Sequence, residues 1–175
     1  LKERGISEEM VNDFMLGYAP DEWDALCSRV SLLEQHARSG EKQAIPFDAF
    51  LETGLVRARK DGSGHFDNFK NRLIFPICNE MGRPIAFGAR KINPDDEPKY
   101  LNSPESPLFA KSSTLYALNL ARKAIIDEEH AIVVEGYTDA IACHQAGIRN
   151  VVATLGTAFT RDHARRLERL CNRVT

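Results

Sequence analysis

The run Ala131-Ile132-Val133-Val134, followed at once by Glu135-Gly136, is short, continuous and apolar. With no polar alternation, it has the pattern of a parallel strand buried on both faces. A helix is predicted next, from about Thr138 to Ala146, ended by Gly147. Val151-Val152-Ala153-Thr154 repeats the buried-strand pattern, Leu155-Gly156-Thr157 turns the chain, and Arg161–Leu170 predicts a second helix. Strand, helix, strand, helix implies a βαβ unit, and its crossover is expected to be right-handed.

That unit singles out Glu135, which sits where a parallel strand ends and a helix begins. In open α/β sheets, sites form outside the carboxyl ends of the strands. Gly136 beside it lets a substrate or the following turn approach closely. A carboxylate in this place can bind a hard divalent cation or transfer a proton. Asp139, one helical turn further on, is a second candidate at the same mouth. The plainer role for such a glutamate is a solvated charge or a partner for the next helix's N-terminus.

Upstream, Leu73-Ile74-Phe75-Pro76-Ile77 is rich in strand-forming residues, with a proline that suits a strand end or bulge. Asn79-Glu80-Met81-Gly82 turns the chain, so Pro84–Arg90 predicts the returning strand of a hairpin. Asn93–Pro107 is polar and punctuated by prolines, which excludes a long helix or a central strand. Ser113–Ile126 returns to helical spacing, with Leu115, Leu118 and Ile125 apolar. At the start, Ser7 is a good N-cap for a helix reaching about Leu16, with Glu8 and Glu9 in its first turn. Asp24 to about Arg38 and Phe47–Leu55 predict two more helices. Ser39-Gly40-Glu41-Lys42 reads as a turn or loop, and Asp61-Gly62-Ser63-Gly64 as a turn without a phosphate-binding role.

A second constellation lies in this middle region. Lys70, Arg72, Arg83, Arg90, Lys91, Lys99 and Lys111 alternate with Phe69, Phe75, Phe87, Tyr100 and Phe109. Single-stranded nucleic acid calls for that mixture, cations tracking phosphates and flat rings on which bases stack. Asn102 and Ser103, beside Tyr100, are short hydrogen-bonding groups that suit a ribose or phosphate. The plainer reading is a hairpin whose rings face the core while its charges are solvated.

The bulk composition is that of a soluble globular protein: 175 residues, 43% hydrophobic, 27% charged and a formal net charge of -2. A mildly acidic total does not exclude a local basic face. No apolar run approaches the length needed to cross a bilayer, and no secretory leader is expected at the N-terminus. Cys27, Cys78, Cys143 and Cys171 lie far apart with no C-x-x-C pair, which argues against a zinc site and a disulfide framework. The five histidines show no metal-ligand spacing and are expected to be structural or surface groups. A chain lacking an initiator Met and ending abruptly at Thr175 is expected to be a piece of a longer one.

Several stretches resemble bacterial DnaG-type primases. They are Phe69-Lys70-Asn71-Arg72-Leu73-Ile74-Phe75-Pro76-Ile77, Gly82–Arg90, Pro98-Lys99-Tyr100-Leu101-Asn102-Ser103-Pro104-Glu105, Phe109-x-Lys111 and Leu115-Tyr116. Val133–Asp139 resembles the opening Toprim motif of that family, and Leu155-Gly156-Thr157 the exit of its second strand. Arg4–Ser7, Gly17–Pro20 and Trp23 resemble the first helices of the polymerase domain. Ala89 stands where the family often has Gly, Thr138 where it often has Met, and Ser31–Lys60 is less familiar.

The resemblance implies an α/β chain in two parts. Residues 1–128 would be an α+β N-terminal subdomain of the primase polymerase core, and 129–175 the first part of a Toprim-type parallel βαβα unit. The implied activity is template-directed synthesis of short RNA primers on single-stranded DNA from ribonucleoside triphosphates, with Mg2+ or Mn2+ in a two-metal arrangement. Glu135 would be the catalytic and metal-binding glutamate, with Asp139 a possible second ligand and further carboxylates expected after Thr175. Lys70, Arg72, Lys99 and Lys111 would bind template or nucleotide, supported by Arg90, Tyr100 and Asn102. Zinc would belong to a domain outside this chain, as would the contact with the replicative helicase. The expected setting is the bacterial cytoplasm, at the replisome. By itself the 175-residue piece is expected to show little polymerase activity. Another Toprim enzyme (a topoisomerase, a nuclease or a phage primase-helicase) or a non-catalytic single-stranded-DNA-binding domain are the alternatives.

Overall fold

The computed structural model describes residues 5–38 and 45–175, so the expected turn at Ser39–Lys42 lies outside the described residues. The chain divides into two compact units, and strands β4 (Arg72–Cys78) and β5 (Pro84–Lys91) pass through both. One unit draws on residues up to Gly17, Phe75–Gly88 and Pro107–Thr175; the other on Tyr18–Ile74 and Ala89–Ser106.

The first unit holds the expected βαβ pattern. β7 (His130–Val134) pairs in parallel with β8 (Val151–Ala153), with Val134 opposite Ala153, and with β9 (Arg173–Val174) on its other side. The connecting helix α5 (Tyr137–Gln145) ends before Gly147, whose φ of 87° suits a residue without a Cβ. α6 (Arg161–Glu168) follows β8. Leu115, Leu118, Ala121, Ile125, Ala131, Val152 and Leu167 form one buried cluster, so this unit has its own core. α1 (Glu8–Asp13) begins at Ser7, whose hydroxyl accepts from the Met10 amide at 3.3 Å as expected of an N-cap. Gln145 ties this segment to α5, accepting from the Ser7 amide and donating to the Gly5 carbonyl.

The helix expected over Ser113–Ile126 begins only at Leu118 (α4, Leu118–Asp127). Ala117 is left-handed at φ 66°, and Tyr116 exchanges two backbone hydrogen bonds with Ala153. The residues ahead of α4 are therefore held to the edge of β8, which a helical turn would not allow.

The second unit contains α2 (Ala25–Arg38), α3 (Phe47–Glu52) and the antiparallel pair β2 (Val56–Ala58) and β3 (His65–Asp67), joined through the Asp61–Gly64 turn. The short strands β1 (Gly17–Ala19) and β6 (Tyr100–Asn102) complete a sheet in the order β1-β4-β5-β6. Between β4 and β5, the Asn79 side chain accepts from the amides of Met81 and Arg83, each at 3.0 Å, and fixes the hairpin turn.

Helix α2 is capped from a distance. The buried Asp67 carboxylate accepts from the amides of Leu26 at 2.6 Å and Cys27 at 2.9 Å, satisfying two of the donors a helix start leaves open. Burial and the neighbouring Asp67 carboxylate push the Cys27 thiol up to about 12. Asp67→Ala is expected to destabilise the chain by about 2 kcal/mol, the upper range for a lost cap with donors left buried. Urea unfolding would read this; a midpoint equal to the parent's would contradict the capping role.

Candidate functional site

At the C-terminal end of β7 the chain makes its turn into α5. The Glu135 side chain is exposed there, while its carbonyl accepts from the Thr154 hydroxyl at 3.4 Å, joining the exits of β7 and β8. Gly136 is the N-cap of α5 in an extended conformation. A Cβ on it would stand 3.2 Å from the Asp139 carboxylate, so that carboxylate folds back over the start of its own helix, where the helix dipole favours negative charge. Glu135 precedes the N-cap of α5 and Asp139 lies in its first turn, and both are exposed.

The turn is anchored by Tyr137, the residue after Gly136. Its buried ring stacks on Phe75 with centroids 4.8 Å apart and meets the Tyr116 ring edge-on at 4.7 Å. It also lies flat against Gly88 of β5, where an added Cβ would come within 2.2 Å of the tyrosine oxygen. Gly88 is therefore a glycine for reasons of space.

Among the described residues, no three His, Cys, Asp or Glu side chains gather as a metal site would need. Divalent magnesium or manganese takes about six oxygen ligands and is commonly held by one or two carboxylates with the rest from water and phosphate. The exposed carboxylate oxygens of Glu135 and Asp139 are of the donor type that suits such an ion.

Lys111 belongs to the same unit, on the loop before α4. The other cations singled out by sequence as binding residues fall in the second unit, in two groups. Lys70 pairs with Asp21 at 2.8 Å and lies 4.6 Å from the centre of the Trp23 ring, which is 58% exposed. Arg72 is only 6% exposed and donates to the carbonyls of Pro98 at 2.7 Å and Glu97 at 3.3 Å. Together with Trp23, Asn71, Glu97 and Leu101 these two cations line a cavity of about 250 Å³. In the second group, Arg90 donates to the Tyr100 hydroxyl at 2.7 Å and stacks over its ring, which Lys99 also approaches at 5.8 Å. Asn102 is half-buried in β6.

The structure thus sets Lys70 beside Arg72 at one cavity and Arg90 beside Lys99 and Tyr100, while Glu135 and Asp139 flank the N-cap of α5. Arg72 departs from the picture of an open phosphate ligand, since two of its nitrogens already hold the 97–98 backbone. Sequence reasoning gave no role to Trp23, whose ring faces the cavity beside Lys70. It is the chain's one tryptophan, set in an acidic loop, and its exposure was the missing signal.

The family described as the DNA primase catalytic core, N-terminal domain, matches residues 1–122, well over half of the chain. The chain belongs to that primase family. The Toprim domain matches residues 129–174. Among relatives of this primase-family chain, the DNA primase of Synechocystis sp. is 44% identical over 168 residues, covering 96% of this chain and 25% of that protein. The chain therefore spans about a quarter of that curated relative's length. A DNA primase domain from Pseudomonas aeruginosa superimposes with a TM-score of 0.86 at 44% identity, covering 99% of this chain and 51% of that one. A DnaG primase catalytic domain bound to single-stranded DNA gives 0.82 at 37% identity, covering 99% and 52%. The primase fold is an α/β one, and the parallel order β8-β7-β9 fits the start of a Toprim unit. No helix among the described residues is long and apolar enough to cross a membrane.

Proposed function

We propose that this chain supplies part of the polymerase core of a DNA primase, which copies single-stranded DNA into short RNA primers from ribonucleoside triphosphates. The observation that carries the reading is the match to the primase catalytic core over residues 1–122, a region a generic Toprim enzyme would not share. That match also counts against the topoisomerase and nuclease alternatives. The ranges 1–122 and 129–174 support a division into an N-terminal part, 1–128, and a Toprim part, 129–175.

In this reading Glu135 is the catalytic carboxylate, holding a metal ion or accepting the proton of the primer's 3′-hydroxyl, with Asp139 a second ligand. Bound Mg2+ or Mn2+ would neutralise charge developing on the phosphates. Lys70, Lys99 and Lys111 bind template phosphates or the incoming nucleotide. Arg72 acts through the Glu97–Pro98 loop that it holds, and Arg90 through Tyr100, beside Asn102. Zinc and the helicase contact are assigned to other parts of a longer protein, working at the bacterial replisome in the cytoplasm. The DNA-bound relative at 37% identity supports a single-stranded template as partner.

Primer synthesis on single-stranded DNA tests the reading, in a chain continued beyond Thr175. RNA products that require template and divalent metal are expected; a well-folded chain that makes none would overturn it. Binding of the 175-residue chain to single-stranded DNA is expected to weaken with salt. Lys70→Ala and Lys99→Ala should each lower the log–log salt slope by about 0.7, one phosphate contact apiece. Fluorescence anisotropy across a salt series would read this, and unchanged slopes would remove these lysines from the interface.

A further inference from the structure

His163 has a place in the fold that its sequence context does not announce. It is 0% exposed, at the third position of α6, and both ring nitrogens are engaged. The Thr160 backbone amide donates to Nδ1 at 3.2 Å, and Nε2 lies 3.0 Å from the Lys111 carbonyl. An amide can only donate and a carbonyl can only accept, so the two partners fix the neutral ring with its proton on Nε2. The arrangement is reciprocal, because the His163 amide donates to the Thr160 hydroxyl at 3.1 Å. That hydroxyl in turn donates to the Ser112 carbonyl.

The cap of α6 therefore grips the carbonyls of two consecutive residues, Lys111 and Ser112. Four residues on, Tyr116 is fastened to Ala153 of β8 by the paired backbone bonds. The peptide that carries Lys111 is held from both sides by the βαβ unit whose β7 ends at Glu135.

We propose that His163 is a positioning residue for Lys111, setting the place of that lysine relative to the Glu135 mouth for nucleotide or template phosphate. The inference rests on the primase reading of Lys111 given above. A lysine side chain is long and flexible and would sample a wide volume from a loose backbone. Fixing its backbone narrows that search to positions from which the ammonium reaches phosphate, and misplacement by about 1 Å costs up to about a hundredfold in rate. The carbonyl contact is the part of the histidine that matters. An asparagine side chain in its place can still accept from the Thr160 amide but is too short to reach Lys111, whereas a glutamine side chain can present a donor near the place of Nε2.

Steady-state primer synthesis is the test, in a chain continued beyond Thr175, comparing the parent, His163→Asn, His163→Gln, Lys111→Ala and the double variant that joins H163N to K111A. H163N is expected to lower kcat/KM for nucleotide about tenfold, within the loss that misplacement allows. H163Q should recover most of it, and H163N should add nothing once K111A is present. Multiplying effects in the double variant would overturn the proposal. So would a thermal midpoint lowered by H163N with kcat/KM unchanged. A parent chain that makes no primers would instead bring down the primase reading, and the role of His163 with it. Nitrogen-15 NMR of the 175-residue chain reads the geometry separately: a neutral ring protonated on Nε2 is expected, and a ring protonated on Nδ1 would overturn the clamp.

Discussion

Gly88→Val is expected to leave little folded protein, and Gly88→Ala to lower stability by more than about 3 kcal/mol, the upper range for overpacking a filled core. The Cβ would come within 2.2 Å of the Tyr137 oxygen and 2.3 Å of the ring carbon that bears it. A long side chain with open space beside it would swing aside at small cost. Tyr137 has no such space, with Phe75 stacked on one face and Tyr116 against it edge-on. Two outcomes are open to the molecule: the β5 backbone retreats, or the tyrosine leaves its slot and carries the Glu135–Gly136 turn with it. Removing the ring should relieve the clash. Tyr137→Ala alone is expected to cost about 3–5 kcal/mol as a large-to-small core change, and its combination with Gly88→Ala should cost well under the sum. Chemical denaturation of the parent, the two single variants and the double variant would show this. Additive costs would mean that the ring and the glycine do not meet.

The same contact shows how the site was partly written in the sequence. Val133-Val134-Glu135-Gly136 was legible because an unbroken apolar run marks a parallel strand and a Gly after a Glu its exit, although in β7 only Ala131 is fully buried and the other positions are half-buried. The capping of α1 by Ser7 was legible because its partner lies three residues away. What could not be read were contacts with no local signature. Asp67 caps a helix that starts some forty residues earlier, and nothing in Phe66-Asp67-Asn68 points to it. Arg72 reads as a free cation until the Glu97–Pro98 carbonyls are found against it.

Short elements were lost as well. β1, β2 and β3 have three residues each, too few for any alternation to declare itself. In Ser113–Ile126 the helical spacing of Leu115 and Leu118 was real, but Leu115 enters the core from a segment held beside β8 rather than from a helix. Periodicity saw the burial of that residue and mistook the backbone that delivers it. The His163 clamp was missed because a histidine stands where a capping box usually has Glu or Gln.

The second large effect concerns Glu135 itself. Glutamine keeps the size of the side chain and its exposure at the end of β7, but removes the charge that would hold a cation or take a proton. With the Tyr137 anchor and the Thr154 contact to the Glu135 carbonyl untouched, the fold is expected to be unaffected. The loss should therefore appear in the chemical step, at about a hundredfold or more, in the range for general acid–base groups. The most direct measurement is the rate of RNA primer synthesis on a single-stranded DNA template, for parent and Glu135→Gln in a chain continued beyond Thr175, with unfolding midpoints recorded alongside. Metal-dependent primers are expected from the parent, with a rate at least about a hundredfold lower in the variant and equal midpoints. Primers made by the variant at the parent's rate would contradict the catalytic role of Glu135.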